Sequence, residues 1–373
     1  MTVAEALARL RLARTEGIGP LTFRRLLDRF GGAPAALAAL PRDRPAPPTE
    51  EAAAREMAAL AKLGGRFIFL DDPAYPPLLA RLADAPPVLA VLGDVSLLAR
   101  RQVGIVGARN ASGPGRRIAE ELAAGLTMGG VVVTSGLARG IDAAAHLGAL
   151  GAHGRTIAVV AGGLDCPYPP EHAGLQARIA AEGGAVVAEA PLGTAPFASH
   201  FPRRNRIVAG LVLGVVVVEA ALRSGSLITA RLASEAGREV FAVPGSPLDP
   251  RARGSNDLLR QGASFAESAE DVLAALPAAP LDLPLLAPRP RAPVAPESQP
   301  LVAEATGDAQ KVLELIGFTP QGVDDLARRC HLSVPIVQAI LLDLELSGLV
   351  ECLPGHRVAR SAPPAQEDRR PNA

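Results

Sequence analysis

The chain has 373 residues, which suits two or three domains better than one. Apolar residues make up 49% of it while aromatics are 3% and Trp is absent, so a sizeable core must be built from Ala, Leu and Val, as in helices packed on parallel strands. With 38 basic and 38 acidic residues the formal net charge is zero, which excludes capture of a polyanion by overall charge and leaves that task to a local patch. Only Lys62 and Lys311 are lysines; the rest of the basic residues are Arg, whose planar fork suits phosphate, although genome base composition accounts for the bias equally well. Cys166, Cys330 and Cys352 are neither at metal-ligand spacing nor able to form a closed disulfide set, as expected of reduced thiols in a cytoplasmic protein. The N-terminus lacks a continuous apolar region and is not read as a signal peptide, and no uncharged apolar run is long enough for a membrane span.

In chain order, residues 1–60 read as a helical region, interrupted by a loop at 41–49 (PRDRPAPPT). From residue 66 short apolar runs take over. Strands are expected at 66–70, 88–92, 103–107, 131–134, 156–161, 185–189, 213–219 and 239–243. Helices are expected at 116–128, 139–150, 171–182, 224–237 and 268–275. Strands alternating with helices give βαβ units, so residues 66–276 are expected to form an α/β domain with a parallel sheet. The Pro-rich stretch 277–306 is read as a linker. Helices at 308–316, 321–329 and 334–346, then a hairpin at 349–359 turning at Pro354-Gly355, make 307–360 a winged-helix pattern. The polar tail 361–373 is expected to be disordered.

The chemistry-bearing features are loops. Gly104 to Asn110, with Gly107 and Arg109, then Ser112, Gly113 and Gly115, follows the 103–107 strand and opens a helix. Glycine lets backbone N–H groups approach a ligand, and the helix start adds a positive dipole end. A tight strand–helix turn explains the same residues. The spacing is not the dinucleotide GxGxxG, and no ribose-marking acid follows about 20 residues on. A second loop, Ser135-Gly136-Leu137-Ala138-Arg139-Gly140, follows the next strand. A third block, Phe201-Pro202-Arg203-Arg204-Asn205-Arg206, concentrates positive charge in a neutral chain. A fourth, Ser224-Gly225-Ser226 with Thr229, follows strand 213–219 and offers either helix caps or anion donors. Asp142 and His146 stand four apart on one helix and could pair, though a capping carboxylate and a buried imidazole fit as well. Glu189 and Glu219 end strands near the same edge, where they could act on a glycosidic bond or orient the Arg cluster.

VGIVGARN, SGLARGIDAAAH, TIAVVAGGLDCPYP, FPRRNRIVAG, VVVVEAALRSGSLITARLA, VFAVPGS and GSNDLLRQGA occur in order between residues 66 and 265. Through these blocks the chain resembles the DNA-processing family DprA, also called Smf. The resemblance implies an extended Rossmann-like α/β core, an N-terminal region like a sterile-alpha-motif or helix–hairpin–helix domain, and a C-terminal winged helix. It also implies a cytoplasmic homodimer that binds single-stranded DNA without sequence preference and loads RecA recombinase onto it in natural transformation, with no catalysis and no cofactor. The implied phosphate-binding residues are Gly107, Arg109, Ser135, Gly136, Arg139, Arg204, Arg206, Ser224, Gly225, Ser226 and Thr229. Pro170-Glu171 and Ala198-Ser199-His200 stand where the family pattern carries basic residues, and Arg203 replaces part of that charge. Phe197, Phe201 and Tyr168 are the candidate stacking rings.

Two rival readings remain at this level. A nucleoside-monophosphate phosphoribohydrolase uses a similar cleft, but Pro244-Gly245-Ser246-Pro247 lacks the PGGxGT-type run. A transcription regulator would read duplex DNA through helix 334–346, which has no Lys or Arg and carries Asp343 and Glu345.

Overall fold

The computed structural model describes residues 1–41, 45–276, 305–317, 319–353 and 355–361. The expected linker and tail lie outside these residues, apart from 305, 306 and 361, and so does Pro354. Four helices come first: α1 (Val3–Ala13), α2 (Pro20–Phe30), α3 (Ala33–Ala38) and α4 (Glu50–Lys62). The α/β part follows as β1 (Gly65–Phe69), α5 (Pro77–Ala80), β2 (Val88–Gly93), β3 (Gln102–Val106), α6 (Gly113–Met128), β4 (Val132–Ser135) and α7 (Ile141–Gly151). It continues through β5 (Thr156–Val160), α8 (Ala173–Ala181), β6 (Ala185–Ala188), α9 (His200–Leu211), β7 (Gly214–Val217) and α10 (Gly225–Glu235). It closes with β8 (Glu239–Ala242), α11 (Arg253–Arg260), β9 (Ser264–Phe265) and α12 (Ala269–Ala275). The last elements are α13 (Ala305–Leu315), β10 (Gln321–Gly322), α14 (Val323–Cys330), α15 (Val334–Leu346), β11 (Val350–Leu353) and β12 (Arg357–Arg360).

Contacts divide the chain into two units, Met1–Leu7 with Thr49–Arg289 and Ala8–Pro48 with Pro290–Ala373. The helical region read as one piece over 1–60 is thus shared between them. In the first unit nine strands lie in the order β1-β2-β6-β5-β4-β3-β7-β8-β9. All neighbours from β6 to β9 are parallel, whereas β1–β2 and β2–β6 are antiparallel, so the sheet is mixed at one edge. The strands from β3 to β7 are buried on both faces, which is why they read as unbroken apolar runs. Along β7, Val215 and Val217 join one core with Ile207, Val208 and Leu211 of α9 and with Ala230 and Ala233 of α10. Val216 joins the opposite core with Leu122 and Leu126 of α6, Ala145 of α7 and Val272 of α12. Each buried Val or Leu contributes about 1.5–3 kcal/mol. The only aromatic rings among the largest fully buried side chains are Phe23 and Phe241, so the core is aliphatic as its composition requires.

The second unit contains the winged helix. Val312, Leu326, Val337, Leu341, Val350 and Val358 form its core, and the strand order is β10-β12-β11. The expected helix 321–329 starts two residues later, because Gln321 and Gly322 pair with Val358 and Arg357 as a strand. The expected helix 171–182 opens as a 3-10 turn, Pro170–His172, behind Pro169 and Pro170, and continues as α8. Leu342 of α15 is buried in the core of the N-terminal helices, among Leu12, Phe23, Leu26 and Ala36. Around it Arg25 pairs with Glu345 at 3.4 Å and Arg29 with Asp343 at 2.6 Å. The outer face of the expected reading helix is therefore packed against protein.

Candidate functional site

From β3 the chain steps outward through β4, β5 and β6, then returns to set β7 on the other side of β3. Helices leave β3 and β7 toward opposite faces, which opens a crevice at the carboxyl ends of these strands, the usual ligand position in such sheets. A cleft of ≈ 810 Å³ lies there. The loop after β3 supplies Gly107 and Arg109, the start of α9 supplies Phe201, Arg204 and Asn205, and the β7–α10 turn supplies Arg223, Ser224, Gly225, Ser226 and Thr229. A small adjoining pocket of ≈ 30 Å³ is lined by Gly136, Arg139 and Cys166, and shares Arg109, Tyr168 and Phe201 with the cleft.

The arginines differ in what they can still do. Arg109 is exposed, with its guanidinium 4.8 Å from the centre of the Phe201 ring, which in turn meets Tyr168 edge-on at 5.7 Å. A flat cation on a ring holds its shape without losing its outward donors. Arg139 is more than half exposed and pairs with Glu171, which itself raises the guanidinium's affinity for its proton. An exposed pair of this kind is weak enough for a phosphate to compete with it. Arg203 is exposed on α9 and does not line the cleft. Arg204 is 6% exposed and lies against Gly136, where a Cβ would collide with its guanidinium. It stands 4.0 Å from Asp142, and its Nε has no hydrogen-bond partner among the described residues. Burial pushes the Asp142 carboxyl up and the Arg204 guanidinium down, each partly opposed by the other's charge. A guanidinium stays charged even so. Arg204 is thus a cation at the cleft floor with spare donor capacity.

Arg206, expected to grip phosphate, is turned away from the cleft. Its fork donates at 2.6 Å to both Glu189 Oε1 and the Asp84 carbonyl, with Asp84 Oδ2 at 3.7 Å. Every residue of α9 from Arg204 onward is buried, and Arg206, two positions along the helix from Arg204, leaves it on another side, where a buried charge must carry its own partners. Glu189 orients that Arg, as anticipated, but Glu219 does not. It accepts from the Ser112 N–H at 2.9 Å and the Ser112 hydroxyl at 2.5 Å.

Several expected backbone sockets are likewise occupied. Ser135 Oγ donates to the Ile105 carbonyl at 2.6 Å. The Gly136 and Ala138 N–H groups donate to Asp142 Oδ2 at 3.1 and 3.4 Å. Asp142 therefore anchors the loop ahead of α7 and is not a partner of His146. The His146 ring is fully buried, 2.7 Å from Thr156 Oγ1, which donates to the Val133 carbonyl. That arrangement makes Nδ1 the donor, and burial, followed by the His172 and Arg204 charges, pulls its pKa down to about 3. The start of α10 is different. Ser224 and Ser226 bond each other at 2.7 Å, Asn205 reaches the Gly225 carbonyl at 3.3 Å, and no acid stands in the first turn.

Sequence reasoning missed Arg223 and Arg251. Arg223 is exposed on the rim beside the Ser224 cap, and its place just before a helix-starting Ser was the available signal. Arg251 is engaged by Asp249 at 2.8 Å, two residues away. Among the described residues no His, Cys, Asp and Glu cluster could hold a metal ion, and no helix is long and apolar enough to cross a membrane.

Three family models match: DNA recombination-mediator protein A over residues 66–277, the DprA winged helix domain over 292–356, and the DprA-like N-terminal HHH domain over 3–59. The chain is 42% identical to Protein Smf of Escherichia coli over 288 residues, covering 76% of this chain and 75% of that one. It is 46% identical to the DNA processing protein DprA of Streptococcus pneumoniae over 208 residues, covering 56% and 73%. The X-ray structure of that Streptococcus pneumoniae protein superposes with a TM-score of 0.61 at 33% identity, covering 74% of this chain and 99% of the other. A Helicobacter pylori DNA processing protein A, described for its single-stranded DNA binding mode, superposes with a TM-score of 0.50 at 30% identity, covering 56% and 94%.

Proposed function

The chain belongs to the DprA (Smf) family of DNA-processing proteins, and from that premise we propose that its β3–β7 crevice binds single-stranded DNA by the phosphate backbone. The observation that carries this is the set of cations around one cleft with capacity left for a ligand. Arg109 is poised on Phe201, Arg204 lines the cleft floor, and Arg223 stands on the rim beside an acid-free helix start. Gly107, Ser224, Gly225, Ser226 and Thr229 shape the wall, while Arg139 and Arg203 extend the track. Ser135 and Gly136 serve by holding the second loop and making room for Arg204. Arg206 serves as an internal anchor.

Phosphates carry no base identity, so binding is sequence-independent. The Phe201–Tyr168 pair offers a stacking surface that any base can use. Asp142, Glu189 and Glu219 are each engaged by neighbouring donors, which favours binding over the hydrolytic alternative. The family resemblance supports the remaining parts of the proposal: a cytoplasmic homodimer that protects incoming strands and loads RecA recombinase. A gel-shift comparison of single- and double-stranded DNA over a salt series tests the central part. Preference for the single strand with steep salt dependence is expected, and equal or stronger binding of the duplex would overturn it.

A further inference from the structure

The seat that a parallel α/β sheet ordinarily gives to a nucleotide phosphate is the start of the helix after the first strand of the crevice. Here that seat is the start of α6, after β3. It is filled from across the switch point by a side chain of the same protein. Glu219 follows β7, and both its carboxylate oxygens are bound by Ser112, the N-cap of α6. A Cβ on Gly115, in the first turn, would lie 2.5 and 2.7 Å from the same two oxygens, so the glycine exists to make room for the carboxylate. Glu219 also feels Arg251, whose fork is held by Asp249. The next loop repeats the device, with Asp142 on the N–H groups of Gly136 and Ala138. Two adjacent strand–helix turns therefore carry internal anions, while the start of α10 carries none.

We propose that Glu219 is a specificity-determining residue, a built-in anion that occupies the α6 seat, excludes the pyrophosphate of a free nucleotide, and confines a strand's phosphates to the arginine side of the cleft. The proposal rests on the reading of the crevice as a phosphate site, but its test does not use DNA. Inorganic pyrophosphate is titrated calorimetrically into the full-length chain and its Glu219→Ala and Glu219→Gln variants, with folding checked by thermal scan. Alanine vacates the seat and leaves Ser112 to cap Gly115, so pyrophosphate should bind at least about tenfold tighter than to the parent. Glutamine keeps the shape and an acceptor for the Ser112 N–H, with the Ser112 hydroxyl turning to accept from its amide, and removes the repulsion, so a gain of roughly threefold is expected.

A folded Glu219→Ala that binds pyrophosphate no better than the parent overturns the proposal. Should Glu219→Ala not fold, an unchanged affinity in folded Glu219→Gln overturns it instead. Weak DNA binding by the parent, together with the pyrophosphate gain in the variant, would refute the DNA reading and leave the role of Glu219 standing.

Discussion

Arg109 and Arg206 came from the same family pattern, yet their surroundings assign them opposite work. Arg109 touches a ring and solvent, so Arg109→Ala should leave the thermal midpoint unchanged while weakening DNA binding and flattening the salt slope by about 0.7, the share of one phosphate on a single strand. Arg206 is 9% exposed and paired with Glu189. Arg206→Ala leaves that carboxylate buried without its partner and should cost about 3–5 kcal/mol in denaturant unfolding. His146 sets a pH dependence. Its folded pKa of about 3 lies below the ordinary 6.5, so between those values the unfolded chain takes up a proton that the folded chain refuses. Stability from this group is intact above pH 6.5 and is lost as pH falls toward 3, with a slope approaching about 1.4 kcal/mol per pH unit. His146→Gln, which keeps a donor for Thr156, should flatten the acid limb of a stability-versus-pH curve; an unchanged limb would refute the assignment.

At the scale of elements, periodicity made the strands legible because a strand covered on both faces is an apolar run. It failed where polar residues cover an element. Helix α11 hides in GSNDLLR, whose leucines are too few to register as a stripe. That Arg206 spends its whole fork on Glu189 and the Asp84 carbonyl while Arg204 lines the cleft was hidden, because α9 is buried from Arg204 onward, a fact that depends on the layers packed around it. The acidic character of α15 argued against duplex reading through it, and its docking on the N-terminal helices gives that a physical form. Leu342→Ala should destabilise the second unit by about 2–5 kcal/mol in a thermal or chemical melt, because the N-terminal helices cannot easily collapse onto the space. Arg25→Glu should also destabilise it, and adding Glu345→Arg should restore part of the stability in a double-mutant cycle. Equal destabilisation by Arg25→Glu with and without Glu345→Arg would mean that the two side chains are not coupled.

At the scale of the molecule, alternating strands and helices announced the α/β core. The antiparallel edge of β1 and β2 was not legible, since an apolar run carries no direction. The loops that gather at the crevice were legible because βαβ connections bring strand ends to one side of the sheet. Which of their groups face a ligand was not, because Glu219 reaches the Ser112 N–H through the fold, an interaction with no sequence signature. Zero net charge makes the cation cluster of this one crevice responsible for the affinity in the proposed function. The most direct measurement is therefore the salt dependence of single-stranded DNA binding by the parent, Arg109→Ala and Arg223→Ala. Each substitution should weaken binding to all sequences alike and reduce the magnitude of the slope by about 0.7 for every phosphate that is no longer neutralised. Folded variants whose affinity and slope both match the parent would contradict the placement of DNA in the β3–β7 crevice.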